Sequence, residues 1–134
     1  VSIHVLDASA LVAYIGGEPG GAVVASLLSD PSALCYAHSV NLCEVYYDSL
    51  RAAGPASARR VIATLFADGV VERRDMNRRF WQRVGALKAR GRISLADCFC
   101  IALAQELQAE VVTSDRREFG PIVSLGIVPV RFIR

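Results

Sequence analysis

Apolar and polar positions along this chain follow two alternating rhythms. "SIHVL" (2–6), "ALCYA" (33–37), "GVVER" (69–73) and "AEVVTS" (109–114) are short runs rich in strand formers, and "GIVPVRF" (126–132) contains another. Each predicts a β-strand. The stretches between them carry helical patterning. Residues 8–15 and 20–29 predict two helices separated at "GGEPGG". Ser39 is placed to cap a helix over about 40–52, and Gly54 followed by Pro55 ends it and opens another to about residue 67. Residues 76–90 predict an Arg-rich amphipathic helix, and Ser94 caps a helix running to Leu107.

Strands alternating with helices at this spacing predict βαβ units and a parallel sheet. "VLDASALVAYI" and "EVVT" do not alternate polar with apolar residues. Parallel strands covered on both faces have this look. The 134 residues fit one domain spanning 1–134, with no repeat and no low-complexity tract.

Against that apolar background the acids stand out. In an open parallel sheet, ligands sit beyond the carboxyl ends of the strands. Asp7 follows the first strand directly, and Asp115 follows the fourth in "VVTSD". Glu44 lies about one turn into the helix after the second strand, and Asp97 lies three residues after Ser94. Helices that follow parallel strands begin at that same edge, so Asp7, Glu44, Asp97 and Asp115 can converge. Each also has a structural reading. Asp97 fits a capping box with Ser94, Asp115 can cap the "RREF" turn, and Glu44 can be a solvated helix residue. Its neighbours Leu42, Cys43, Val45, Tyr46 and Tyr47 argue for a buried stretch, where a carboxylate needs a partner.

Clustered carboxylates repel one another unless some are protonated or a cation is present. Lys88, the sole lysine, lies on another helix. A hard divalent ion, Mg²⁺ or Mn²⁺, suits an all-oxygen donor set. One or two such ions would serve phosphoryl chemistry, polarising a phosphate and acidifying a water.

The net charge of +2 excludes little. The cations are nearly all Arg, which suits bidentate phosphate contacts but equally follows from a GC-rich coding sequence. Arg73, Arg74, Arg78, Arg79, Arg83, Arg90, Arg92, Arg116 and Arg117 could grip an RNA backbone. A solvated face is the alternative. Among them Arg79, Arg83, Arg92 and Arg116 are the candidate RNA contacts. Cys35, Cys43, Cys98 and Cys100 show no zinc-type spacing and read as buried free thiols. His4, inside a strand, reads as a core residue. His38 stands just ahead of the Glu44 helix, where it could approach the edge of the site. Phe80 and Trp81 read as core or interface. No apolar run is long enough for a membrane span and no leader pattern opens the chain, so a cytoplasmic protein without membrane contact is expected.

The ordered set "VLDASALVAYI", "SVNLCEVYY" and "ISLADCFCIALAQELQAEVVTSD" resembles the PIN-domain nucleases, and among them the VapC toxins of bacterial toxin–antitoxin pairs. The resemblance covers essentially the whole chain. It implies an α/β/α three-layer sandwich with a five-stranded parallel sheet, and Mg²⁺- or Mn²⁺-dependent endonucleolytic cleavage of RNA. Asp7, Glu44, Asp97 and Asp115 match the family's metal-binding catalytic acids. Ser9, Asn41 and Thr113 match its supporting, substrate-orienting positions, and Glu118 sits where some members hold a further acid. The family also implies a homodimer and a cognate VapB-type antitoxin. The apolar "VNLCEVYYDSL" helix marks a partner surface if the helix after it leaves it uncovered.

Two other enzyme or signalling readings fail on residues. A response-regulator receiver needs an Asp after the third strand, which here ends in "VVERR", and a later Lys. A haloacid-dehalogenase phosphatase needs Asp where Ser9 stands. A catalytically silent relative that binds RNA or protein is the alternative in another class.

Overall fold

The computed structural model describes residues 1–134. The elements run β1 (Ser2–Leu6), α1 (Ala8–Ile15), α2 (Gly21–Ser29), β2 (Ala33–His38), α3 (Ser39–Ala67) and β3 (Val70–Arg73). They continue as α4 (Arg78–Ala89), α5 (Leu95–Leu107), β4 (Glu110–Thr113), α6 (Arg116–Ser124) and β5 (Val130–Phe132). The strands form one sheet in the order β3-β2-β1-β4-β5, every neighbouring pair parallel. Chain order reverses between β1 and β4, the point where open parallel sheets present a ligand crevice.

Both faces are covered, as the non-alternating strands require. Val5 and Val111 point into a core with Phe80, Val84, Ile101 and Phe119 of α4, α5 and α6. Leu6 and Val112, one residue on, point into a second core with Leu11, Val24, Leu27 and Leu65 of α1, α2 and α3. The result is the expected α/β/α layering, because the side-chain period of two sends adjacent strand residues to opposite faces. Packing of α1 on α2 is close. A Cβ on Gly21 would lie 2.5 Å from the Ala13 carbonyl oxygen, so only glycine fits that crossing.

The structure departs from the sequence expectations in four places. The two helices read over 40–52 and 55–67 run end to end as α3, kinked where Gly54 takes φ 87° and ψ 175° before Pro55. Residues 116–124 form α6, although Gly120 and Pro121 read as breakers. Pro121 forfeits one backbone bond, while burial of Phe119 and Ile122 and the Asp115 cap hold the turn. Cys43 is exposed on α3, unlike buried Cys35, Cys98 and Cys100; all four are free thiols. Trp81 is exposed, whereas Phe80 is buried. No helix is long and apolar enough to cross a membrane.

Candidate functional site

The carboxyl edge of β1 and β4 is where the local structure places its acids. β1 ends at Leu6, and Asp7 is at once the N-cap of α1. Its Oδ1 accepts from the Ala10 amide at 2.9 Å and from Ser9 Oγ at 2.7 Å, and its Oδ2 accepts from Thr113 Oγ1 at 2.5 Å. Thr113 ends β4, and its hydroxyl also accepts from the Asp115 amide at 3.0 Å. Ser9 Oγ accepts from the Ser114 amide at 3.0 Å. Ser9 and Thr113 therefore spend their protons on Asp7 while tying the ends of β1 and β4 together. Asp7 is 2% exposed. Burial raises its pKa from 3.8 to about 6 against the pull of those three hydrogen bonds, with a further push from Asp115.

Asp97 and Asp115 come from helix starts. Ser94 Oγ accepts from the Asp97 amide at 3.2 Å, the first half of a capping box. The second half is not filled by Asp97. The Ser94 amide instead donates to Glu118 Oε1, which leaves the buried Asp97 carboxylate free to face the other acids. Its pKa is driven well up, first by burial, then by the charges of Asp7 and Glu118. Asp115 caps α6 by accepting from the Glu118 amide at 3.0 Å. Ligand atoms of Asp97, Asp115 and Glu118 all lie within 4.8 Å of one another.

Glu44 reaches the same neighbourhood from α3. It is half-buried, and burial raises its pKa, aided by Asp7, Asp48 and Glu118. Asn41, fully buried, bridges α3 to α5. Its Nδ2 donates to the Ala96 carbonyl at 3.2 Å and, more weakly, to Glu44 Oε1 at 3.5 Å, while its Oδ1 has no partner. The structure thus gathers Asp7, Asp97 and Asp115, with Glu44 close by and Ser9, Asn41 and Thr113 as their hydrogen-bonding supports. Glu118 is no fringe residue here. It belongs to the tightest carboxylate group and anchors α6 to the start of α5. Its position three residues after the Asp115 cap was the available signal.

No histidine joins the cluster. His4 Nδ1 lies 2.7 Å from Glu110 at the opposite end of β1. His38 caps α3 by accepting from the Val40 amide at Nδ1, donates from Nε2 to the Asp75 carbonyl at 2.8 Å, and stacks on Phe80. It serves the fold rather than the site edge.

The arginines divide. Arg92 lines a groove with Asp115 and Glu118, as do Arg90 and Arg117. Arg83 pairs with Glu106 at 3.4 Å. Arg116 donates to the Arg134 carbonyl at 2.7 Å and lies over the Phe132 ring, away from the acids. Arg79 is exposed and forms no ion pair. On α3, Tyr47 and Leu50 are exposed, so the helix beyond Gly54 does not cover that face.

A divalent-cation fit follows from the donor chemistry. The cluster offers only carboxylate and hydroxyl oxygens. Lys88 donates to the Ile93 carbonyl at 2.8 Å, and no Lys or Arg pairs with Asp7, Glu44, Asp97, Asp115 or Glu118. The raised pKa values of Asp7, Glu44 and Asp97 express that uncompensated charge.

The family model for the PIN domain matches residues 4–120. No curated protein sequence matches the chain. Among solved structures, DNA-bound VapBC from Salmonella typhimurium superposes with a TM-score of 0.77 at 17% identity, covering 100% of both chains. VapBC2 from Rickettsia felis, bound to a promoter DNA fragment, gives 0.75 at 15% identity, covering 97% of this chain and 98% of that one. Mycobacterium tuberculosis VapC20, described as a sarcin-ricin loop cleaving toxin, gives 0.69 at 18% identity, covering 90% and 95%.

Proposed function

The chain belongs to the PIN-domain family, and from that premise we propose that it is a divalent-metal-dependent endoribonuclease, the toxin of a VapBC-type toxin–antitoxin pair. The observation that carries the reading is the group of buried and half-buried carboxylates at the β1–β4 switch point with no cationic side chain to balance it.

Asp7, Asp97 and Asp115 would hold Mg²⁺ or Mn²⁺, one ion or two, with Glu44 and Glu118 at the margin. When bound, such an ion polarises a phosphodiester and supplies an acidified water for in-line hydrolysis. The chain's own contribution is placement. Ser9 and Thr113 fix the Asp7 carboxylate from two sides, and the Ala10 amide fixes it from below the helix start. Asn41 ties the Glu44 helix to the Asp97 helix. Glu118 occupies the Ser94 amide, so that Asp97 is available to the site. Supporting groups of this kind set ligand orientation and affinity.

A VapB-type antitoxin as partner is supported by the fold shared with VapC chains of VapBC complexes. The exposed Tyr47–Leu50 side of α3 is a surface for that partner or for a homodimer.

The test incubates purified protein, freed of antitoxin, with total RNA and Mg²⁺ or Mn²⁺, beside Asp7→Asn and an EDTA control. The expected result is discrete cleavage that needs both the metal and Asp7. A folded, metal-binding protein that cuts no RNA would instead be a silent binding module.

A further inference from the structure

A groove of about 740 Å³ opens beside the carboxylates, between residues 90–94 and α6. Asp115 and Glu118 belong to its lining, so it starts at the acids. Arg90, Arg92 and Arg117 also line it. All three are exposed, and none forms an ion pair even with carboxylates in the same groove. The rest of the lining is largely apolar. Ile93 and Ile122 are buried beneath it, and Leu125 stands 65% exposed. Arg90 and Leu125 also line an adjoining hollow of about 440 Å³, together with Arg83. The depression therefore runs on from the acids toward α4.

Unpaired guanidiniums beside an exposed apolar surface complement one kind of occupant, an anionic chain with flat apolar faces. A volume in the range of small-molecule sites admits single nucleotides, not a stacked duplex. Unpaired bases are taken up by apolar and guanidinium surfaces, while Arg neutralises the backbone.

We propose that this groove seats the unpaired RNA strand on one side of the scissile phosphate, with Arg90, Arg92 and Arg117 on the backbone and Leu125, over Ile93 and Ile122, against a base. The proposal rests on the ribonuclease reading and adds to it a preference for unpaired substrate, built into this chain's own loop and α6.

The test measures binding of a fluorescent unstructured RNA, and of its duplex, to Asp7→Asn protein in Mg²⁺ across a salt series. Adding Arg90→Gln, Arg92→Gln and Arg117→Gln should weaken single-strand binding at least ~30-fold at low salt and reduce the log–log salt slope by about 2. Arg59→Gln with Arg60→Gln, on exposed α3 positions facing the other layer, should change binding less than about twofold. Leu125→Ser should weaken the single strand about tenfold and leave the duplex unaffected. Variants that bind like their parent, while wild-type protein cuts the same RNA, overturn the groove and leave the ribonuclease standing. A parent that neither binds nor cuts RNA overturns both. Loss of oligoglutamate peptide binding with RNA binding intact would make the occupant an acidic protein segment and also overturn the proposal.

Discussion

Asp7→Asn separates what this carboxylate costs from what it does. The side chain is 2% exposed, and its pKa is raised from 3.8 to about 6. Between those two values the folded chain holds a proton that the unfolded chain has lost. Stability therefore falls as pH rises through that window, and the full cost stands above it. At 1.36 kcal/mol per pH unit, the step from 3.8 to about 6 costs about 3 kcal/mol at pH 8 in metal-free buffer. At pH 4 the same expression leaves less than about 1 kcal/mol. Asparagine can remove the charge without orphaning a partner. Its Oδ1 keeps the Ala10 and Ser9 bonds, and its amide faces Thr113 Oγ1. The Thr113 hydroxyl then turns its proton to Ser9 Oγ, 3.2 Å away.

Thermal unfolding in EDTA reads the difference. For a chain of this size about 3 kcal/mol corresponds to a Tm gain of roughly 10 °C for Asp7→Asn at pH 8. The gain should all but vanish at pH 4. Saturating Mn²⁺ should erase or reverse the order, because only the wild type then exchanges repulsion for a ligand. Cleavage should fall by more than the roughly 10–100-fold typical of losing a supporting partner. An Asp7→Asn protein less stable than wild type at pH 8 in EDTA, or a gain independent of pH, would refute the claim that the site holds uncompensated charge.

Thr113→Val strips Asp7 Oδ2 and the Asp115 amide of their shared partner; it should cost about 2–3 kcal/mol in urea unfolding and weaken Mn²⁺ binding by roughly 10–100-fold in titration calorimetry. Because Asp7, Glu44 and Asp97 all have raised pKa values, Mn²⁺ binding near pH 6 should release protons and tighten as pH rises. Calorimetry in two buffers of different ionisation enthalpy measures that release, and equal heats would contradict it. Gly21→Ala forces a Cβ to 2.5 Å from the Ala13 carbonyl oxygen; it should destabilise by about 1–3 kcal/mol without changing the pH dependence of stability.

The fold was legible where periodicity and burial agree. Five parallel strands and two covering layers follow from apolar runs that do not alternate and from helices between them. Boundaries moved only at the ends, as at the 76–90 helix, which begins at Arg78 behind an Asn77 cap. The helix that sequence missed, α6, carries Gly120 and Pro121, two residues whose local preference opposes helix. Tertiary burial of Phe119 and Ile122 overrides that preference. A local reading cannot weigh it, because the core those residues enter is built by α4 and α5. Exposure of Cys43 and Tyr47 was hidden for the same reason: whether an apolar stretch is covered depends on how the chain turns at Gly54.

The acids were legible for a different reason. Asp7 and Asp115 mark themselves by standing directly after strands, and the topology of parallel sheets does the rest. Asp97 was ambiguous, since a carboxylate three residues past a serine cap satisfies a helix start as well as a metal. The structure resolves that ambiguity through a residue 21 positions further on, counted from Asp97 to Glu118. Glu118 takes the Ser94 amide that a capping box would have given to Asp97. The helix start is satisfied, so nothing in the local structure requires the Asp97 carboxylate to be charged or buried, yet it is buried against Asp7 and Glu118 at the cost of a raised pKa. A fold gains nothing from that arrangement in the absence of a cation. Its stability would rise if Asp97 were neutral, which makes the persistence of the acid an argument about chemistry rather than about folding.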